Sequence, residues 1–209
     1  MKTIDISGNL EVCCDEAGRG SLIGRIYCGA CIWPEGFETN EVKRLVKDSK
    51  KFTGVNAKRN REEAYDFVIK HAIAWNSAYG EAEDIDKYGL GKIWMDTMHR
   101  AILGINICPD TIIVDGNYFK ALPPIENYTN YEVKTVIKGD STYYGIAAAS
   151  IIAKVEHDRH IEDLVSKYPY LDERYGLLSN NGYGTKEHTD AIIKYGSSEF
   201  HRKSFKGCS

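Results

Sequence analysis

Leu10-Glu11-Val12-Cys13-Cys14-Asp15-Glu16-Ala17-Gly18-Arg19-Gly20 starts as an apolar run and finishes as a charged glycine turn, and this junction decides how the chain is read. Residues 10–14 have the composition of a strand. The glycine-rich residues 18–24 turn the chain, and residues 26–33 form a second apolar strand. Asp15 and Glu16 therefore stand where a strand gives way to a turn.

The same arrangement occurs twice more. Residues 111–114 read as a short strand ending at Asp115-Gly116-Asn117, and residues 131–137 as a strand ending at Lys138-Gly139-Asp140. Between and around them the period changes to helical. Residues 57–72 carry Ala64, Phe67, Val68 and His71 at helix spacing. Residues 73–79 alternate like a strand. Residues 84–103 read as a helix weakened at its start by Gly89 and Gly91. Residues 145–168 read as a long helix whose Ala147-Ala148-Ala149-Ser150 opening predicts close packing on a sheet, and a last helix follows Thr185, which can cap it. Strands first, then strands alternating with helices, predict an α/β fold with a mixed β-sheet flanked by α-helices.

The 209 residues are 43% hydrophobic and 27% charged, the balance of a globular chain with a substantial core. One domain over 1–209 is expected, with no internal repeat or linker. The longest apolar run, 145–153, is half the length a membrane span needs. Asp5, in Met1-Lys2-Thr3-Ile4-Asp5, interrupts any signal-like segment, so a cytoplasmic protein without a membrane is expected.

The net charge of −3 argues against a protein that coats nucleic acid indiscriminately. The distribution is uneven, however. Residues 43–61 hold Lys43, Arg44, Lys47, Lys50, Lys51, Lys58, Arg59 and Arg61 against Asp48 alone. Such a cluster either leads a phosphate backbone to a site or forms a solvated loop and helix face. The six cysteines read as buried free thiols. Cys28-x-x-Cys31 has zinc spacing, yet it lies in an apolar run without a second pair. Trp33, Trp75 and Trp94 are assigned to the core.

Strand ends of an α/β sheet are where ligand sites gather, and glycine there lets backbone approach a ligand. Each acid alone reads first as a turn residue; three coincident strand ends weaken that reading. Asp15, Glu16, Asp115 and Asp140 meeting without counter-charge would repel one another until one took up a proton, and divalent Mg²⁺, which prefers oxygen ligands, relieves this. Neighbouring strand residues point to opposite faces, so Asp15 and Glu16 share a site only where the strand ends or bulges.

In these residues the sequence resembles the type 2 ribonucleases H, the bacterial ribonuclease HII family. The motif from Asp15 to Gly20 is similar to that family's opening block, and Asp48-Ser49-Lys50-Lys51 to its next. Val114-Asp115-Gly116-Asn117 follows, then Lys138-Gly139-Asp140 with the run from Ala147 to Val155 and Asp158-Arg159. Gly182-Tyr183-Gly184-Thr185-Lys186-Glu187-His188 and the late His201-Arg202 complete the family order.

The resemblance implies a ribonuclease H-like mixed sheet with flanking helices and a helical C-terminal part, roughly 169–209. It implies an endonuclease whose partner is nucleic acid, and a monomer is expected. That enzyme cuts RNA in RNA/DNA hybrids and 5′ of single ribonucleotides in duplex DNA, leaving 3′-hydroxyl and 5′-phosphate ends. It places the catalytic and metal-binding carboxylates on Asp15, Glu16, Asp115 and Asp140, with Mg²⁺ or Mn²⁺ as cofactor. It places substrate binding on Gly18, Arg19 and Gly20, on the junction-sensing Tyr183, and on Lys50 and Lys51. A glycine turn that approaches a 2′-hydroxyl closely can tell RNA from DNA.

The chain also departs from the family. Ser21 stands where a proline is common, which predicts a looser turn, and Tyr143-Tyr144 occupy a position more often basic or small and polar. His188 and His201 either donate to phosphate or are packed, and Asp158 is expected to pair with Arg159 or a neighbour. Two other readings stay open: a different metal-dependent phosphotransferase on the same fold, such as a junction-resolving nuclease, and a catalytically silent module that recognises ribonucleotide junctions.

Overall fold

Strand β1 (Glu11–Ala17) runs through the centre of a five-stranded sheet, because its apolar residues face helices on both sides. In the computed structural model, which describes residues 10–125, 128 and 130–209 except the side chain of Lys50, β1 is followed by β2 (Ile26–Ile32). Next come α1 (Asn40–Leu45), α2 (Ala57–His71), β3 (Ala74–Gly80), α3 (Ala82–Tyr88) and α4 (Leu90–Leu103). The chain continues through β4 (Thr111–Asp115), β5 (Glu132–Val136) and α5 (Tyr144–Lys167). It closes with α6 (Tyr170–Tyr175), α7 (Leu177–Asn180) and α8 (Lys186–Tyr195). Met1-Lys2-Thr3-Ile4-Asp5 and the Lys50 side chain lie outside the described residues.

The sheet order is β3-β2-β1-β4-β5, with β1, β2 and β3 antiparallel in turn and β4 and β5 parallel to β1. Two-residue alternation sorts the side chains of β1. Val12 and Cys14 join Ile26, Cys28, Met98, Ile102, Ile112 and Val114 in a core under α4. Cys13 packs on the other face with Ile113 and Ile146 of α5. The Ala-rich opening of α5 lies directly on β2: a side chain at Gly29 would run into the backbone of Ala149 and Ala153, so glycine admits the helix. Ala147, Ala148, Ile151 and Ile152 then share a second core with Phe67 and Val68 of α2. The later half of α5 carries the C-terminal helices on Ile161 and Leu164, packed with Leu171, Tyr175, Leu177 and Ile192.

Several expectations are corrected. Strand β1 does not stop at Cys14 but continues to Ala17, paired residue for residue with β2. The helix expected over 84–103 is two helices, broken at Gly89, whose φ of +87° no regular helix accepts. Trp75 lies on edge strand β3 and is 37% exposed rather than in the core. Cys108 is exposed, while the other five cysteines are buried free thiols. Cys28 and Cys31 lie in different cores on opposite faces of β2, so they cannot hold one zinc ion. Thr185 caps α8 as expected, accepting from the His188 N–H. Among the described residues no helix is long and apolar enough to cross a membrane.

Candidate active site

Strand pairing between β1 and β4 runs in parallel up to Cys14 and Val114, so Asp15 and Asp115 follow side by side, Asp115 at the carboxyl end of β4 and Asp15 two residues before that of β1. Alternation turns both toward α5, the face of Cys13 and Ile113. Asp15 is buried. Its Oδ1 accepts from the Glu16 N–H at 2.7 Å, and Ser150 of α5 hydrogen-bonds its carboxylate. Ser150 in turn lies 3.1 Å from the Ser49 hydroxyl, which ties the segment after α1 to the site. Burial pushes the Asp15 carboxyl well above the usual carboxylate range. The nearby Glu16 and Asp115 charges push the same way, against the bonds from Ser150 and the Glu16 N–H.

Asp115 is held by the Gly139 N–H, 2.7 Å from its Oδ1. Gly139 opens a 3-10 turn (Gly139–Ser141) after β5, and a side chain there would strike Ile146. Asp140, the next residue, is 5% exposed. Glu16 lies on the opposite face of β1, because the strand neither ends nor bulges before it. Its Oε2 accepts from Trp94 Nε1 at 3.2 Å, and its Oε1 is 3.7 Å from Arg19, whose guanidinium stacks 4.0 Å above the Trp94 ring. The structure thus brings Asp15, Glu16 and Asp115 into electrostatic reach, with Asp140 one peptide beyond the Asp115–Gly139 bond. Among the described residues, no three Asp, Glu, His or Cys side chains already form a closed metal-ligand set. The donor chemistry fits a hard divalent cation: carboxylate oxygens only, with a buried acid whose ionised form needs nearby positive charge.

The turn of Gly18, Arg19 and Gly20 follows directly. Gly18 takes φ +77°, and its N–H donates to the Tyr183 hydroxyl at 3.2 Å. The Leu22 N–H donates to the Gly182 carbonyl at 2.8 Å, so the segment bearing Tyr183 lies along this turn. The Tyr183 ring rests 5.7 Å from His157, with Lys154 Nζ 5.4 Å above it. Ser21 does not loosen the turn. It is fully buried, its N–H donates to the Gly18 carbonyl at 3.2 Å and its hydroxyl to the Ile23 carbonyl at 2.8 Å, and the first of these bonds is closed to proline.

The basic segment is divided. Arg44 pairs with Glu63, Lys58 with Glu162 and Arg61 with Asp158, whereas Lys51 is exposed and Lys47 lies 4.8 Å above the Phe52 ring. Asp158 pairs with Lys154 at 2.6 Å and with Arg61, while Arg159 turns to Glu62. Tyr144 is buried and Tyr143 packs beside Ile146. Sequence reasoning missed Ser49 and Ser150, placed Trp94 in the core without its bond to Glu16, and gave no role to Arg202.

His188 and His201 are both buried, with their Nε2 atoms 3.1 Å apart. Neither ring has an exposed surface on which a phosphate could dock. Burial, together with His188, pulls His201 down to about 4, and burial lowers His188 as well. Both fall below the ordinary value of about 6.5, so the unfolded chain takes up these protons first. Their contribution to stability is complete above pH ~6.5 and is lost as pH falls toward about 4. His201→Gln, which keeps an amide near the Nε2 position but does not titrate, is expected to lose less stability than the parent between pH 7 and pH 5. Urea unfolding at the two pH values measures this, and equal losses would refute it.

A central β1 antiparallel to β2 and parallel to β4, α5 laid on one face and carboxylates at adjoining strand ends define a hydrolase of the ribonuclease H-like fold. Residues 12–208 match the family described as Ribonuclease HII, and the chain belongs to that family. A Ribonuclease HII from Parabacteroides distasonis is 37% identical over 95% of this chain and 91% of its own length. Among solved structures, the ribonuclease H2 of Pyrococcus horikoshii superposes with a TM-score of 0.74 at 24% identity, covering 95% of this chain and 94% of that one. Bst ribonuclease HIII in complex with Mn²⁺ shares the fold at a TM-score of 0.66 and 18% identity, over 96% of this chain and 68% of its own.

Proposed function

We propose that this chain, acting as one catalytic unit over residues 1–209, is a divalent-metal-dependent endoribonuclease. It hydrolyses RNA in RNA/DNA hybrids and cuts 5′ of a single ribonucleotide in duplex DNA, leaving a 3′-hydroxyl and a 5′-phosphate. The observation that carries this reading is buried Asp15 beside half-buried Asp115, standing directly before the turn of Gly18, Arg19 and Gly20, whose first N–H meets the Tyr183 hydroxyl. Membership of the ribonuclease HII family supports it.

Asp15, Asp115 and Asp140 would hold Mg²⁺ or Mn²⁺, and Glu16, on the opposite face of β1, would join them only by turning away from Trp94 and Arg19. A bound divalent ion supplies Lewis acidity at the phosphoryl oxygen and a water made acidic enough to attack at neutral pH. Mn²⁺ in the related ribonuclease HIII supports the choice of cation. The chain's own part is positioning. Ser150 and the Glu16 N–H orient Asp15, the Gly139 N–H orients Asp115, and Trp94 with Arg19 restrains Glu16. Gly18, Arg19 and Gly20 would read the 2′-hydroxyl through backbone groups, and Tyr183 would pack on the deoxyribose beyond it. Lys51, with Lys50, would contact backbone phosphates, which fixes register without reading sequence.

The test is an end-labelled duplex holding one ribonucleotide, incubated with Mg²⁺ or EDTA, with the cut mapped. A Mg²⁺-dependent cut on the 5′ side of the ribonucleotide is expected. Cutting of an all-DNA duplex, or cutting unaffected by EDTA, would overturn the reading. In Tyr183→Phe the hydroxyl is lost, and cleavage of the single-ribonucleotide duplex should fall about tenfold, the scale of one hydrogen bond. A long hybrid, which offers many ribonucleotides, should suffer less; equal loss on both removes Tyr183 from junction reading.

A further inference from the structure

We propose that Arg202 is a positioning residue for ribose recognition, its buried guanidinium holding the turn of Gly18, Arg19 and Gly20 from beneath while the adjacent His201 holds the backbone of Tyr183 through His188. The inference rests on the reading of that turn and Tyr183 as the ribose-sensing elements.

Arg202 has no exposed surface. A buried cation is destabilising unless its donors are matched, and here backbone carbonyls of one loop take Nε and Nη1, while the buried Nη2 has no partner among the described residues. Nε donates to the Gly24 carbonyl at 2.9 Å, and Nη1 donates to the Gly18 carbonyl at 2.8 Å and the Arg19 carbonyl at 3.2 Å. A rigid planar fork spans these three carbonyls; a lysine ammonium, as a point donor, does not. Backbone bonds hold the segment in place: the Arg202 N–H donates to the Leu22 carbonyl at 2.8 Å and the Gly24 N–H to the Phe200 carbonyl at 3.0 Å.

The neighbouring residue reaches the other half of the reader. The Ser198 N–H donates to His201 Nδ1 at 3.0 Å, so the ring hydrogen of His201 is on Nε2. That N–H donates to His188 Nε2 at 3.1 Å, which leaves the His188 hydrogen on Nδ1, donating to the Tyr183 carbonyl at 3.0 Å. Consecutive residues of the C-terminal segment therefore anchor Gly18 and Tyr183, and those two residues bond each other. A reader built on a loop needs such a frame, because recognition by close backbone approach fails when the groups sit even 1 Å out of place.

The test compares single-ribonucleotide duplex with long hybrid for Arg202→Lys, and for Arg202→Ala with and without guanidinium ion. Thermal midpoints and the Mg²⁺ concentration giving half-maximal rate are followed in parallel. Arg202→Lys should lose about tenfold more kcat/KM on the single-ribonucleotide duplex than on the hybrid, with the Mg²⁺ response unchanged, and guanidinium should restore part of the Arg202→Ala loss. An unchanged substrate ratio in folded Arg202→Lys overturns the proposal, as does a loss equal on both substrates. Should both Arg202 variants fail to fold, His188→Leu and His188→Asn decide it. The asparagine keeps a donor near the Nδ1 position, so it should retain more of the substrate ratio than the leucine; equal, parent-like ratios in both overturn the proposal. Tyr183→Phe is the control. A normal ratio there defeats the ribose-reading assignment and this inference with it, whereas a shifted ratio there beside normal ratios in the Arg202 and His188 variants defeats the inference alone.

Discussion

In Asp115→Asn, Mg²⁺-dependent cleavage is expected to fall by about a thousandfold or more, ~4 kcal/mol of transition-state stabilisation, while the fold is kept. The amide preserves shape, and its oxygen can still accept from the Gly139 N–H. What disappears is one negative charge beside Asp15. Because Asp115 helps push the Asp15 carboxyl upward, its removal lets Asp15 ionise more easily. The metal-free variant should therefore be more stable than the parent near neutral pH, by up to about 1 kcal/mol, the scale of a like-charge pair across adjacent strands. With Mg²⁺ the order should reverse. A cation at 100 times its dissociation constant stabilises the folded parent by about 2.7 kcal/mol, and the variant loses most of that gain. Urea unfolding in EDTA and in Mg²⁺, beside the cleavage rate, reads all three effects. Undiminished turnover would remove Asp115 from the site, and a crossover in stability without loss of cleavage would leave it a cation ligand with no part in the reaction.

That crossover depends on features the sequence discloses unevenly. The acids at strand ends are legible, because Asp115-Gly116 and Gly139-Asp140 break apolar runs with turn residues. The extent of β1 is not. Alternation scored on hydropathy stops at the first acid, but Asp15 and Glu16 remain in the strand because β2 pairs with them through Ala17. For the same reason the placement of Glu16 opposite Asp15 follows only from knowing that no bulge intervenes. Ser150 is hidden for a different reason: a serine after three alanines reads as small-residue packing, and only the long-range approach of α5 to β1 brings its hydroxyl to Asp15. The break at Gly89 was visible as a weakness, but local propensity does not settle whether a glycine bends a helix or ends it. Arg202 is the extreme case. Its partners are carbonyls more than 170 positions away in the chain, and backbone carbonyls leave no mark in composition or charge pattern.

Two glycines two residues apart separate folding from recognition. Gly18→Ala is expected to destabilise the protein by about 3 kcal/mol. The residue sits at φ +77°, where an L side chain costs roughly 1–2 kcal/mol, and its methyl would enter the His157 ring and come within 3.0 Å of the Arg25 carbonyl, overpacking worth ~1–3 kcal/mol. Loss of cleavage in that variant would report the fold as much as the site. Gly20 differs. It is exposed, its φ lies outside the left-handed region, and a methyl there meets no atom within 4 Å. Gly20→Ala should therefore leave the unfolding midpoint unchanged or raise it slightly, by about 0.4–1 kcal/mol, through the stiffer unfolded chain. Nothing in the free protein requires glycine at that position, so any requirement must come from what approaches it. If the turn reads a ribose through its backbone, the added methyl keeps the sugar away, and cleavage of the single-ribonucleotide duplex should fall about tenfold or more, at least ~1.4 kcal/mol. The loss should appear chiefly in KM if the methyl blocks docking, and in kcat if the sugar docks but the phosphate is displaced from the carboxylates. Parent-like rates from a fully folded Gly20→Ala protein would exclude Gly20 from the recognition surface and leave the ribose to Gly18, Arg19 and Tyr183.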